Sequence, residues 1–114
     1  INIPDGSLPA DKVVDFCHKY EQSIDEKGGL DVIIQGLSGG GHTGFNEPGS
    51  PVDSKTRLVT LDRSTITSAA SDFYGEKNVP KKAITMGIET MFKAKPASVA
   101  VKVRPLKKLK DMVK

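Results

Sequence analysis

The chain has 114 residues, a formal net charge of +3 and a hydrophobic fraction of 37% with few aromatic side chains. This length and apolar content support one modest core and exclude two, so we expect residues 1–114 to form one domain or part of one. No apolar run reaches the roughly 18 residues of a membrane span, and no secretory signal opens the chain. A single cysteine, Cys17, excludes an internal disulfide and fits a reducing compartment. The composition therefore predicts a cytoplasmic protein.

A first helix is predicted from about residue 9 to Glu26, because apolar residues recur there at helical spacing. The apolar stripe consists of Val13, Cys17, Tyr20 and Ile24. Ser7 can cap this helix, with Pro9 in its first turn. Cys17 lies on the stripe and is expected in the core, whereas His18 lies off the stripe and is expected in solvent.

Strands and helices alternate along the rest of the chain. Strands are predicted at residues 30–36, 83–86 and 98–103, with a short extended segment at residues 57–61. Asp62 or Ser64 can cap a helix after the short segment, a second helix starts at Gly87, and Pro105 opens the last. This alternation predicts an α/β fold in which helices cover a mainly parallel sheet.

A glycine-rich loop, residues 36–50, follows the first predicted strand. In parallel sheets, ligands bind beyond the carboxyl ends of the strands, which is where this loop is expected to lie. Glycines let backbone N–H groups approach a ligand closely. His42 and Glu47 lie in the same loop, and a histidine exchanges protons near neutral pH while a neighbouring carboxylate can orient its ring. The loop therefore predicts acid–base chemistry on a small anionic ligand.

The excess positive charge lies near the end of the chain. Its residues are Lys102, Arg104, Lys107, Lys108, Lys110 and Lys114. A solvated helix face is one explanation for this run, and an anion site in which a lysine meets a phosphate is the other. Nucleic acid is not an expected partner, because no aromatic side chains interleave with these charges. The two histidines and one cysteine lie in unrelated elements, so no metal site is predicted.

Several sequence blocks resemble the glucosamine-6-phosphate deaminase (isomerase) family. They are Gly41-His42-Thr43-Gly44-Phe45-Asn46-Glu47-Pro48-Gly49-Ser50, Ser54-Lys55-Thr56-Arg57 and residues 79–90, together with residues 1–6. The related 6-phosphogluconolactonases share the fold and a Gly-His pair but lack Phe-Asn-Glu-Pro, which favours the deaminase branch. The resemblance implies a Rossmann-like, three-layer α/β arrangement, of which this chain holds only part, the family's C-terminal half.

The resemblance implies aldose–ketose isomerisation with deamination, which converts glucosamine 6-phosphate to fructose 6-phosphate and ammonia without a cofactor. His42 would be the acid–base group that opens the sugar ring, and Glu47 would orient it. The implied substrate-binding residues are Gly36, Gly40, Gly41, Asn46, Arg57, Lys107 and Lys108. The implied classes are hydrolase and isomerase of amino sugar metabolism, acting on a sugar phosphate, with a homo-oligomer as a possible form and no membrane partner.

The sequence departs from the family pattern at several positions, among them Glu89 in place of a glycine and a shifted spacing of Lys107 or Lys108. The family has an aspartate two positions before the histidine, where this chain has Gly40, and a phosphate-binding arginine aligns with Ser71 or Asp72. The family's first half, which supplies a phosphate-binding loop and the base for the C2 proton, is expected to be absent, so these residues alone are expected to be inactive. Three hypotheses stay open: a deaminase or a large piece of one, a sugar-phosphate-binding or regulatory module without chemistry, and a structural fragment in which Glu47 stabilises a turn.

Overall fold

A computed structural model describes residues 1–94 of the chain. The elements are α1 (Ala10–Glu26), β1 (Arg57–Thr60), α2 (Arg63–Ala69), a 3-10 helix (Glu76–Asn78), β2 (Lys82–Thr85) and α3 (Ile88–Phe92). The third predicted strand and the last predicted helix, with Lys107 and Lys108, lie outside the described residues. Across the described part of the chain, no helix combines the length and apolar character that a membrane span requires.

Helix α1 confirms the first predicted helix. Val13 and Cys17 of the apolar stripe are 4% and 3% exposed, while His18 points into solvent as expected. The predicted cap is wrong: Pro9 occupies the N-cap position without a side-chain hydrogen bond. The Ser7 amide and hydroxyl instead donate to the Asp5 carboxylate, at 2.9 and 2.6 Å. This local turn satisfies Ser7 before the helix begins, and these hydrogen bonds also lower the pKa of Asp5.

Strands β1 and β2 form a two-stranded antiparallel sheet, in which Arg57 lies opposite Thr85 and Thr60 lies opposite Lys82. The chain between them folds back on itself, since the Thr67 hydroxyl on α2 donates to Glu76 at 2.6 Å. The alternation of elements predicts a mainly parallel sheet, and residues 1–94 contain no parallel ladder. Their parallel pairing is limited to an isolated bridge between residues 30 and 94.

Residues 30–36, predicted as the central strand, do not form one; this prediction is wrong. Leu30 makes the isolated bridge with Ala94, and the chain beyond it stays outside the sheet. Val32 and Ile34 are 75% and 93% exposed. A buried strand needs neighbours that pair its backbone and cover its apolar faces. Within residues 1–94 no strand lies beside this run, so its hydrophobic sequence has nothing to pack against.

The core joins α1, the sheet and α3 mainly through buried polar groups. The buried apolar side chains are Val13, Cys17 and Val79. The buried polar ones are Glu21, Asn46, Ser54, Thr56, Thr85 and Thr90. Such groups are tolerated away from water only when they are hydrogen-bonded, so their partners fix the geometry of the surrounding segments. The glycine-rich loop is positioned by this polar network.

Candidate functional site

Asn46 anchors the glycine-rich loop to the sheet. Its side chain is buried, and its amide nitrogen donates to the Met86 carbonyl at 2.9 Å and to the Thr43 carbonyl at 3.1 Å. The Arg57 guanidinium donates to the Asn46 side-chain oxygen at 3.0 Å. Donor and acceptor atoms of one buried amide are thus both used, so Asn46 links the loop to the start of β1 and the end of β2.

Gly44 allows the loop to approach β2 closely. Its φ is +55°, and a Cβ added there would lie 2.9 Å from the Thr85 hydroxyl oxygen. That hydroxyl accepts a hydrogen bond from the Phe45 amide at 3.1 Å. A side chain at position 44 would therefore meet both a backbone penalty and a steric one, which accounts for glycine here.

His42 lies between the two halves of the loop and is partly exposed. Its Nδ1 lies 3.2 Å from the Gly44 carbonyl oxygen, and its backbone carbonyl accepts a hydrogen bond from the Ser38 amide at 2.9 Å. A protonated Nδ1 satisfies the contact with Gly44, because a carbonyl oxygen can only accept. This tautomer leaves the lone pair on Nε2, the atom that can exchange a proton with a ligand.

The Glu47 carboxylate binds the first turn of α2. One oxygen accepts a hydrogen bond from the Asp62 amide at 2.6 Å, and the other accepts one from the Thr65 hydroxyl. Among the described residues, no hydrogen bond joins Glu47 to His42, whose ring is held by the Gly44 carbonyl instead. Sequence reasoning missed Thr65 as a partner of the site. The helix-capping signal at Asp62 was available, but nothing in it pointed to the loop.

Asp62 confirms one of the two predicted caps. Its side chain accepts hydrogen bonds from the Ser64 amide and the Ser64 hydroxyl, both at 2.8 Å. These bonds lower the pKa of the Asp62 carboxyl, so it is ionised at neutral pH. The cap orients the Asp62 amide and the Thr65 hydroxyl on the same turn, where Glu47 binds them.

Three clefts surround the loop. A cleft of about 390 Å³ brings together Gly40, Gly41, His42, Asn46 and Glu47. A second, of about 420 Å³, lies between the loop and α2 and is lined by Gly40, His42 and the hydroxyl-bearing Ser38, Ser64, Thr65 and Ser68. Arg57 lies in a third cleft, of about 370 Å³, which Glu47 also lines. The structure thus unites five of the predicted site residues, places Arg57 next to them, and leaves Gly36 outside all three clefts.

Gly40 lies against the His42 ring. It occupies the position at which the family pattern has an aspartate. A Cβ added at Gly40 would be 3.3 Å from the ring carbon Cδ2 and 3.7 Å from Nε2. The backbone of Gly40 is outside the left-handed region, so a side chain there meets no backbone penalty. A carboxylate at this position could therefore reach Nε2 of His42. Within residues 1–94, no group of three or more His, Cys, Asp or Glu side chains could hold a metal ion.

The helices, the sheet and the loop define an α/β protein in which a histidine lines a glycine-rich cleft. No family model matches the chain. It is 48% identical over 82 residues to the glucosamine-6-phosphate deaminase of Malacoplasma penetrans, covering 72% of this chain and 34% of the relative. It is 44% identical over 94 residues to that of Staphylococcus saprophyticus, covering 82% of this chain and 38% of the relative.

A solved structure agrees with these relatives. A monomeric glucosamine-6-phosphate deaminase of the NagB superfamily superposes with a TM-score of 0.75 at 42% identity, covering 82% of this chain and 38% of that chain. The resemblance to the glucosamine-6-phosphate deaminase family is confirmed: most of this chain is similar in sequence to these deaminases, and its structure is similar to part of one of them. It spans little more than a third of the length of the relatives it matches.

The comparisons also correct one expectation. The classification as a hydrolase is wrong, because the relatives are named as deaminases. The structural neighbour is described as monomeric, and a homo-oligomer of the present chain stays a prediction.

Proposed function

We propose that this chain supplies part of the active site of a glucosamine-6-phosphate deaminase, which converts glucosamine 6-phosphate and one water molecule to fructose 6-phosphate and ammonia. The observation that carries the proposal is the shared cleft of about 390 Å³, in which His42 and Glu47 face the same space as Gly40, Gly41 and Asn46. Relatives with this name at 42–48% identity support the same assignment.

His42 opens the sugar ring in this proposal. Its Nε2 takes the proton of the anomeric hydroxyl while the bond between C1 and the ring oxygen breaks, and the same nitrogen returns the proton to the ring oxygen. The Gly44 carbonyl, 3.2 Å from Nδ1, holds the ring in the required tautomer and binds the imidazolium more strongly than the neutral ring. The later shift of a proton from C2 to C1 is assigned to groups outside the described residues.

Glu47 acts on this step through its charge. The carboxylate is fixed by the Asp62 amide and the Thr65 hydroxyl, so it needs no reorganisation when a proton arrives on His42. A carboxylate lining the same cleft stabilises positive charge that develops there during ring opening, as preorganised electrostatic stabilisation requires.

The sugar phosphate is bound by the glycines and by Arg57. Gly40 and Gly41 line the cleft without filling it with side chains. One guanidinium nitrogen of Arg57 donates to Asn46, at 3.0 Å, and to the Lys55 carbonyl, at 3.4 Å, and the N–H groups on its other nitrogens can bind an anionic oxygen. Asn46 shapes the cleft wall, because its own amide is already hydrogen-bonded. Lys107 and Lys108 stay proposed phosphate ligands on sequence alone.

A binding module without chemistry is the second candidate, and Gly40 is the observation that favours it. A carboxylate at this position would lie beside His42 Nε2, and the chain has none there. The two candidates differ in the effect of Gly40→Asp in the longest natural form of the protein. An enzyme should gain ring-opening activity, by up to about tenfold. A binding module should stay without turnover.

The direct test incubates the longest natural form with glucosamine 6-phosphate and follows ammonia and fructose 6-phosphate together by NMR. We expect product, and a loss of about 10²–10⁴-fold for His42→Gln. His18→Gln is the matched control, since His18 is exposed on α1 and faces none of the three clefts. Saturable binding without product would replace the deaminase proposal with the binding module, and neither binding nor product would overturn both.

A further inference from the structure

Glu21 is a buried acid that the proposed ring-opening step does not use. It lies on α1 with 7% of its surface exposed. One carboxylate oxygen accepts hydrogen bonds from the Thr56 amide, at 2.7 Å, and from the Thr90 hydroxyl. Thr90 on α3 is fully buried. A single oxygen atom of Glu21 therefore ties α1 to the residue before β1 and to α3.

A short chain of contacts leads from Glu21 to the candidate site. Thr56 is followed directly by Arg57, the first residue of β1, and the Arg57 guanidinium donates to Asn46 at 3.0 Å. Asn46 donates in turn to the Thr43 carbonyl, which is adjacent to His42. The backbone that Glu21 holds is thus the backbone from which Arg57 reaches the loop.

The same segment is fixed to the start of α3. The Ser54 carbonyl accepts from the Glu89 amide at 2.9 Å, and the Ser54 hydroxyl accepts from the Ile88 amide at 3.0 Å. A Cβ at Gly87 would lie only 2.0 Å from the Ser54 carbonyl oxygen, so the two backbones pack with no room for a side chain. Because α3 holds Ser54 and Glu21 holds Thr56, the backbone conformation just before Arg57 is fixed, and so is the position from which the Arg57 side chain extends.

The charge of Glu21 belongs to this arrangement. Burial raises the pKa of its carboxyl, but the hydrogen bonds from Thr56 and Thr90 and the charge of Lys93 outweigh burial, so the pKa lies below its ordinary value. The second oxygen is buried and makes no hydrogen bond within residues 1–94, and the Lys93 ammonium lies 3.9 Å from it. A buried carboxylate in this position costs stability unless its donors stay in place, which argues for a geometric task.

We propose that Glu21 is a positioning residue, whose buried carboxylate fixes the backbone at Thr56 and thereby the contact between Arg57 and Asn46 that holds the His42 loop. Its effect on turnover rests on the proposed function. Its effect on loop geometry does not, so the two can fail separately.

The test compares three variants in the longest natural form of the protein. Glu21→Leu removes charge and acceptor, Glu21→Gln keeps an acceptor, and Thr90→Val removes one donor from the same oxygen. NMR reports the side-chain amide of Asn46, the Nε–H of Arg57 and the ring protons of His42. We expect all three signals to shift in Glu21→Leu, with kcat/KM reduced by about 10²-fold, and a partial return in Glu21→Gln.

Asp25→Asn is the matched control. Asp25 lies one turn further along α1 and contacts the same Lys93, at 3.5 Å, but it is exposed and touches neither Thr56 nor Thr90. It should leave the three signals and kcat/KM unchanged.

If Glu21→Leu does not fold, the Glu21→Gln and Thr90→Val variants decide between the outcomes. Shifts confined to α1, Thr56 and residue 90 in these folded variants, with Asn46 and His42 unmoved, would overturn the positioning role. Unchanged signals at Asn46 would do so even in a protein without turnover.

Discussion

The two halves of the glycine-rich loop are held in different ways. Residues 43–47 bond to distant elements, through Asn46 to the sheet and through Glu47 to α2. Residues 36–41 close a local turn, in which the Ser38 carbonyl accepts from the Gly41 amide and the Ser38 amide donates to the His42 carbonyl. His42 lies at the junction. We therefore expect residues 43–47 to be the rigid half, a frame for the charged groups, and residues 36–41 to be the adaptable half, a self-contained turn that can adjust to a ligand.

The largest effect is expected where the rigid half is anchored. Asn46→Ala removes two hydrogen bonds from a buried side-chain amide, to the Thr43 and Met86 carbonyls, and the oxygen that accepts from the Arg57 guanidinium. The free energy of unfolding should fall by about 3 kcal/mol, measured by urea denaturation of the longest natural form. If that variant does not fold, Asn46→Asp keeps the shape and the acceptor while removing both donated bonds.

Asn78→Ala is the control for this prediction. Asn78 also donates to two carbonyls, those of Phe73 and Tyr74, at 3.0 and 3.2 Å, but it is exposed to water. Water can replace its hydrogen bonds, so the loss should be about 0.5 kcal/mol. Equal losses at positions 46 and 78 would mean that Asn46 is not a special anchor and that the contrast between the two halves is unfounded.

A pair of glycine substitutions compares the two halves directly. Gly44→Ala forces a side chain into the left-handed region, against the Thr85 hydroxyl, and should reduce the free energy of unfolding by about 2 kcal/mol. Gly39→Ala meets nothing within 4 Å and carries no positive φ, so it should be neutral or slightly stabilising. Thermal unfolding of both variants measures the difference. A larger loss at position 39 would reverse our assignment of the rigid and adaptable halves.

The parts of the fold that sequence predicted are those with local signals. Helix α1 was found because its 17 residues carry their own apolar periodicity, and the Asp62 cap because it bonds a residue two positions away. The sheet was not found correctly, because the partner of Arg57 is Thr85, far along the chain. Residues 30–36 show the reverse error. An apolar run predicts a buried strand only if neighbouring strands cover it, and sequence does not report that.

The candidate site follows the same division. The loop motif identified His42 and Glu47, which the structure places in one cleft. The hydroxyl partners of the carboxylates were not found: Thr65 lies 18 positions from Glu47, and Thr90, which binds the buried Glu21 on α1, lies 69 positions from it. A hydrogen bond between residues so far apart leaves no spacing pattern in a single sequence, so only the folded chain reveals which hydroxyl meets which carboxylate.

Thr65 offers a smaller effect on the rigid half, seen in activity. Thr65→Val removes the hydroxyl that fixes one Glu47 oxygen. The Glu47 carboxylate should then be less well oriented in the cleft that it shares with His42. We expect kcat in the longest natural form to fall about tenfold, with Thr65→Ser restoring most of it. Thr67→Val is the control, because Thr67 bonds Glu76 and lines none of the three clefts. An equal loss for both valine variants would indicate a general weakening of α2 and not a role for the Thr65 hydroxyl.

The smallest expected effect is on the pH dependence of stability, to which the carboxylates of Glu21 and Asp62 contribute. The pKa of Glu21 is lowered by folding, despite burial that raises it, so the unfolded chain binds more protons in acid. Its contribution to stability is therefore complete above the ordinary pKa of a glutamate and is lost as the pH falls through the lower folded pKa. The pKa of the exposed Asp62 carboxyl is also lowered, so Asp62 adds an acid-dependent loss of stability that both proteins share.

Urea denaturation from pH 6 down to about pH 3 should show that the free energy of unfolding falls less steeply in acid for Glu21→Gln than for the parent, because only the charge of Glu21 differs. Parallel curves would mean that the carboxylate holds Thr56 no better as an anion than as a neutral acceptor, and that its hydrogen bonds alone position the loop.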